Sequence, residues 1–172
     1  MSQGDKYFMT RRGLLNRLLV GLLVGAIALL GALTAPSAVV AATSEQPSLP
    51  ELTVYRSPTC RCCSHWVDHM KAAGFQVKDV VTEDMATLKA QHGVPEDAAS
   101  CHTAIAAGYV IEGHVPAADV QRLLSEQPDV LGIAAPGMPM GSPGMEMGDR
   151  VDPYTVVSFT QSGETATFAE HP

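Results

Sequence analysis

Residues Leu18 to Ala42 carry no charge. The run follows a basic segment containing Lys6, Arg11, Arg12 and Arg17, and it ends in small residues, with Val39-x-Ala41 and Val40-x-Ala42 as candidate cleavage sites. A basic start, an apolar middle and a small-residue end are what a segment needs to enter a translocon and fit a peptidase cleft. Residues 1–42 are therefore expected to be an export signal. A retained membrane anchor is the alternative, because the same run is long enough to span a bilayer. Thr10-Arg11-Arg12-Gly13-Leu14-Leu15 also resembles a twin-arginine signal. In both cases the body is expected outside the cytoplasmic membrane, most simply in a bacterial periplasm, where glutathione does not buffer thiols. Contact with the membrane is expected only if the leader is retained. What is left of the 172 residues suffices for one small domain with a modest core.

The leader holds four of the eleven basic residues and one of the eighteen acids, so the body carries seven basic against seventeen acidic residues. Phosphate contacts need clustered Lys and Arg, so nucleic acid is not an expected partner. No phosphate loop, Ser/His/Asp set or paired-carboxylate signature stands out.

Thr43 to Pro50 reads as a polar linker, with the domain over residues 51–172. Leu52–Tyr55 reads as a short strand. Cys62 to Ala73 has helical periodicity, with Cys63, Trp66, Val67, Met70 and Ala73 on one face and Gly74 as the stop. Phe75–Val81 reads as a strand and Asp84 to His92 as a helix. Thr103–Ala107 and Tyr109–Ile111 read as strands hinged at Gly108. Pro116 opens a helix through Glu126. Tyr154–Thr160 and Thr165–Ala169 flank a hairpin turn. Between them, residues 132–153 hold four Pro, five Gly and four Met, and read as one long, partly ordered loop. The order β-α-β-α-β-β-α predicts a thioredoxin-like α/β domain with an added C-terminal hairpin and a Met/Gly/Pro-rich loop.

The chemistry lies in Cys60, Cys62, Cys63 and Cys101. In an exported protein structural disulfides are the default. A Cys60–Cys63 bond would be the familiar C-x-x-C pairing, leaving Cys62 free or bonded to Cys101. Bridges that only stabilise a fold are expected to close long loops. Three cysteines in four residues do little of that, so the clustering points to reactivity or metal. Cys62 and Cys63 fall on the first turn of a helix, where free N–H groups and the helix dipole favour thiolates. Zinc sites space their cysteine pairs more widely, whereas adjacent thiolates suit bridging and a soft ion such as Cu(I). In thioredoxin-like domains a cis-proline faces the C-x-x-C. The matching stretch here, Ser100-Cys101-His102-Thr103, lacks it and brings a fourth sulfur instead.

These segments resemble the CopG-type copper-resistance family. The resemblance rests on Thr59-Cys60-Arg61-Cys62-Cys63 with Trp66 and His69, on Ser100-Cys101-His102-Thr103, on Gly113-His114-Val115-Pro116, and on Gly137-Met138-Pro139-Met140-Gly141-Ser142-Pro143-Gly144-Met145-Glu146. It covers about residues 51–172. It implies a periplasmic, thioredoxin-like protein of copper tolerance whose Cys60, Cys62, Cys63 and Cys101 hold more than one copper ion, as Cu(I), in a thiolate-bridged cluster. Cu(I)/Cu(II) redox conversion, and hence a copper oxidoreductase activity, is a further implication. Other periplasmic copper-handling proteins are the partners it implies. The alternatives are a thiol-disulfide oxidoreductase using Cys60 and Cys63, and a chaperone passing Cu(I) to a partner through the Met loop.

Weaker candidates surround the cysteines. Met138, Met140, Met145 and Met147 offer thioethers on a segment too rich in Gly and Pro to be core. His102 adjoins Cys101 as a ligand, a proton acceptor or a space filler. His65 and His69 have a helical ligand spacing but read better as surface. His114 and His171 read as structural or solvated, Trp66 as packing beneath the site, and Arg61 as a charge near the thiolates.

Overall fold

The computed structural model describes residues 48–172. The export signal expected over 1–42, and the linker expected over 43–50 up to Pro47, lie outside the described residues. Leu49, near the end of that linker, already packs against the core. Among the described residues no helix is long and apolar enough to cross a membrane.

Seven strands form one mixed sheet. They are β1 (Leu52–Arg56), β2 (Val77–Val81), β3 (His102–Ala106), β4 (Tyr109–Gly113), β5 (Gly132–Ala135), β6 (Tyr154–Phe159) and β7 (Thr165–His171), in the order β2-β1-β3-β4-β5-β6-β7. Three helices, α1 (Arg61–Ala72), α2 (Met85–Gln91) and α3 (Ala117–Glu126), connect them. β1 runs parallel to β2, while β3 is antiparallel to both β1 and β4.

Each helix follows from its local chemistry. α1 repeats apolar residues at the 3.6-residue period, and Cys63, Trp66, Val67 and Met70 are buried. It stops in a left-handed glycine, Gly74, at φ +93°. Gly74 N–H donates to the Lys71 carbonyl and Phe75 N–H to the Met70 carbonyl, which closes the last turn. α2 starts where the Asp84 carboxylate accepts from Thr87 N–H at 3.0 Å. α3 buries Val120 and Leu123, and ends at Gln127 in the left-handed region. The core joins Leu52, Val54, Trp66, Met70, Ile111, Leu123 and Ile133 across the sheet and its helices.

The alternation expected over residues 52–126 is observed, and so is the hairpin β6–β7. The loop expected over residues 132–153 is corrected at its start. Gly132–Ala135 is a fully buried strand between β4 and β6, parallel to the first and antiparallel to the second. The sequence Gly-Ile-Ala-Ala precedes the first proline of the segment, Pro136, so nothing stops it from pairing on both sides. A side chain on Gly132 would strike the Val110 carbonyl oxygen, so glycine permits the close approach of β4. The remainder of the segment is tied down. Ser142 Oγ and N donate to the Pro139 carbonyl, Met145 N–H donates to the Ser142 carbonyl at 2.8 Å, and Asp152 N–H to the Met140 carbonyl at 2.9 Å.

Candidate metal centre

The centre forms where β1 gives way to α1. The turn Ser57–Cys60 is closed by Cys60 N–H donating to the Ser57 carbonyl at 3.2 Å. Cys60 is then the N-cap of α1, with no side-chain hydrogen bond to the first turn. The positive end of the helix therefore faces the sulfurs. Cys60 and Cys63 are joined as a disulfide, and Cys62 and Cys101 are free. Cys62 Sγ lies 3.5 Å from Cys60 Sγ and 3.9 Å from Cys101 Sγ. All four sulfurs lie within 4.8 Å of one another. The fold thus brings the four cysteines singled out in the sequence to one place, and the C-x-x-C pair is the bonded one.

Cys101 comes from a different part of the chain and is held by a buried anion. Glu112 on β4 is fully buried, and its carboxylate accepts from Ser100 N–H at 2.6 Å and Thr103 Oγ1 at 2.7 Å. Lys89 Nζ from α2 donates to the same carboxylate and lies 3.0 Å from Thr103 Oγ1. Ser100 also pairs with Gly137 at the start of the Met-rich segment. Ser100, the residue just before Cys101, is therefore held from both sides. Sequence reasoning missed Glu112, since a lone acid on a strand carries no motif.

Two imidazoles flank Cys101. His114 was expected to be structural or solvated. It is fully buried, with Nε2 3.0 Å from Cys101 Sγ and Nδ1 2.8 Å from the Pro143 carbonyl. The carbonyl accepts only, so Nδ1 carries the proton and the Nε2 lone pair faces the sulfur. His102 Nδ1 lies 3.4 Å from the same sulfur, and its Nε2 is buried without a well-formed hydrogen bond. Its ring packs against Trp66 at 4.5 Å between centroids and meets the His114 ring edge-on at 5.0 Å. Trp66 lies beneath the site and donates from Nε1 to the Val115 carbonyl at 2.8 Å.

Burial sets the protonation states. It pushes the Cys101 thiol up to about 12, helped by the neighbouring Cys62, so the metal-free thiol keeps its proton at neutral pH. Burial holds His102 well below the ordinary imidazole range, with His114 and Lys89 adding to the effect. Burial also lowers His114, against opposing contributions from the Pro143 carbonyl and the Glu146 carboxylate. Both rings are therefore neutral, as ligand imidazoles must be.

The Met-rich segment closes over the first turn of α1. A side chain on Gly144 would come within 2.7 Å of the Cys62 carbonyl oxygen and 2.8 Å of Trp66 N. Met138, Met145 and Met147 line a cavity of about 430 Å³ with Cys62, His65 and Glu146. Met140 is not on that wall. It is half-buried, and its carbonyl accepts from Asp152. Arg61 is exposed and lines the same cavity. His69 points elsewhere: its Nε2 accepts from Ala117 N–H at 3.2 Å, at the start of α3. His171 pairs with Asp119 at 2.7 Å and stacks on Tyr154, tying β7 to α3.

A family model described as "Protein of unknown function, DUF411" matches residues 98–145. Two solved structures resemble the chain over nearly their whole length. One, "Copper resistance protein copG- Form 2", is 48% identical with a TM-score of 0.69, covering 72% of this chain and 99% of that one. The other, "Copper resistance protein copG- Form 1", is 49% identical with a TM-score of 0.69, covering 72% of this chain and 98% of that one. Comparison with curated proteins gives no match.

Proposed function

This chain belongs to the CopG-type copper-resistance family, and from that premise we propose that it is an exported copper-tolerance protein that binds Cu(I) through Cys60, Cys62, Cys63 and Cys101. One observation carries this reading: four sulfurs from two distant segments lie within 4.8 Å of one another. Thiolate and thioether donors select Cu(I), and adjacent thiolates favour bridging, so more than one ion is expected per chain. Binding through all four sulfurs requires the Cys60–Cys63 bond to be opened by a dithiol reductant, which gives up two electrons and becomes a disulfide itself. The thioethers of Met138, Met145 and Met147 beside Cys62 support a route by which Cu(I) reaches the cluster. The sheet order β2-β1-β3-β4 with β3 antiparallel supports a thioredoxin-like core.

Anaerobic titration of the reduced protein with Cu(I) against a competing chelator tests the reading. More than one copper per chain is expected. Cys101→Ser should keep the fold and weaken retention by about tenfold or more. Saturation at a single copper, or an unchanged affinity in that variant, would overturn it.

The Cys60–Cys63 bond favours one second reading, thiol-disulfide exchange. An oxidoreductase needs Cys60 as nucleophile and Cys63 as resolver, and does not need Cys62. Cys62→Ser separates the two. Loss of copper tolerance in cells supports copper binding, whereas strong disulfide reductase activity with tolerance intact supports the second reading.

A further inference from the structure

We propose that Cys101, His102 and His114 form a second, mixed sulfur–nitrogen metal position, sharing the Cys101 sulfur with the four-cysteine cluster and taking a divalent ion, Cu(II) or Zn(II). The proposal rests on the copper reading for its shared sulfur, but it requires none of Cys60, Cys62 and Cys63.

The donor atoms are gathered slightly tighter than the shell of a bound ion, as they are when a thiol hydrogen-bonds to an imidazole. Metal–nitrogen bonds of about 2.0–2.1 Å and metal–sulfur bonds of about 2.3 Å put neighbouring donors on one ion roughly 3.3–3.8 Å apart. Here His114 Nε2 and His102 Nδ1 stand 3.0 and 3.4 Å from Cys101 Sγ. The three donor atoms all lie within 4.8 Å of one another. Small ring and sulfur movements bring them around a common centre.

The outer contact of His114 is that of a ligand. An imidazole that binds metal through one nitrogen usually donates its other N–H to a carbonyl or carboxylate, which fixes ring and tautomer. His114 does so through Nδ1 to the Pro143 carbonyl at 2.8 Å, which leaves the Nε2 lone pair aimed at the sulfur. His102 is harder to explain as packing. It is fully buried, and its Nε2 makes no well-formed hydrogen bond, with only the Gly113 backbone acting on the ring, so a ring retained only to fill space leaves a polar atom poorly satisfied. With Nδ1 bound to a metal, that cost is offset by a bond that no apolar side chain supplies.

The donor set selects a different ion from the cluster beside it. Four thiolates suit Cu(I), whereas two neutral imidazoles and one thiolate form a borderline set that suits divalent copper or zinc. The two positions share one sulfur and differ in softness.

Cobalt(II) is the spectroscopic probe, because a Co(II)–thiolate bond gives an ultraviolet charge-transfer band. The unreduced wild-type protein, with Cys60 and Cys63 bonded, is expected to bind Co(II) with such a band. The Cys60→Ser/Cys62→Ser/Cys63→Ser variant should retain one Co(II) with a single-thiolate band. His114→Gln in either background should weaken Co(II) binding by about tenfold or more. If the variants fail to fold, X-ray absorption of the unreduced wild type loaded with one Zn(II) decides. Imidazole outer-shell scattering is expected, and a shell without it overturns the proposal. Equal Co(II) affinity with and without His114 in folded protein overturns it as well. Failure of the cluster reading shows separately, as loss of Cu(I) stoichiometry in reduced protein with Co(II) binding intact.

Discussion

Glu112 carries a load out of proportion to its size. Its carboxylate is fully buried and accepts from Lys89 Nζ, Ser100 N–H and Thr103 Oγ1. Glu112→Ala removes the anion and leaves three donors behind. A donor stranded away from water costs about 1–3 kcal/mol. The Lys89 side chain is 15% exposed and still reaches Thr103, so its ammonium swings toward water and its penalty falls at the low end. About 1 kcal/mol for the ammonium and about 1–1.5 for each of the other two gives about 3–4 kcal/mol, in line with the roughly 3–5 expected for breaking a buried pair. At roughly 2.1 cal/mol/K per residue over about 125 residues, that lowers Tm by about 12–15 °C. Glu112→Gln keeps an acceptor and should lose about half as much. Thermal unfolding of metal-free, unreduced protein, followed by circular dichroism, measures both. Because Ser100 precedes Cys101, copper retention by the reduced alanine variant should fall in parallel. A shift below about 4 °C for Glu112→Ala would refute the view that this carboxylate anchors the Cys101 turn.

His69 accepts a hydrogen bond from the first amide of α3, and burial holds its pKa below the ordinary imidazole value. The folded protein therefore takes up fewer protons than the unfolded chain below about pH 6.5, so stability is full above that pH and declines as pH falls through it. His102 and His114 act in the same direction. Denaturant midpoints of metal-free protein should fall between pH 7 and pH 5, and His69→Ala should cost about 1 kcal/mol at pH 7 with a shallower slope. A flat profile contradicts this. Gly144→Ala places a methyl group 2.7 Å from the Cys62 carbonyl oxygen at φ +84°. It should cost about 2 kcal/mol or more and lift the Met segment from α1. Limited proteolysis would show this as faster cleavage between Met138 and Met147, and unchanged protection would count against it.

The parts of this fold written in local patterns were legible. The apolar face of α1, its glycine stop and the clustering of the cysteines follow from spacing alone. Strand β5 was hidden by its surroundings, since Gly-Ile-Ala-Ala is too short and too small to stand out beside a Gly/Pro/Met segment. His114 was hidden for another reason. Its partners are Cys101 and the Pro143 carbonyl, thirteen residues before it and twenty-nine after it, and no short sequence window contains both. Glu112 gave even less signal, because burial turns an ordinary acid into an anchor only when Lys89, Ser100 and Thr103 converge on it.

The strap formed by Gly137, Pro143 and Gly144 has a consequence for the order in which the protein comes into being. A growing chain that has reached Pro136 already contains all four cysteines, β1 to β5 and both buried imidazoles. It lacks the Gly137 contact to Ser100, the carbonyl that orients His114, and the glycine that seats against the start of α1. The sulfurs are then present without the contacts that residues 137–144 make around them. Residues 137–144 thus complete the surroundings of the sulfurs, with β6 and β7 still to follow. Damage to the strap should therefore show as mispaired cysteines in newly made protein.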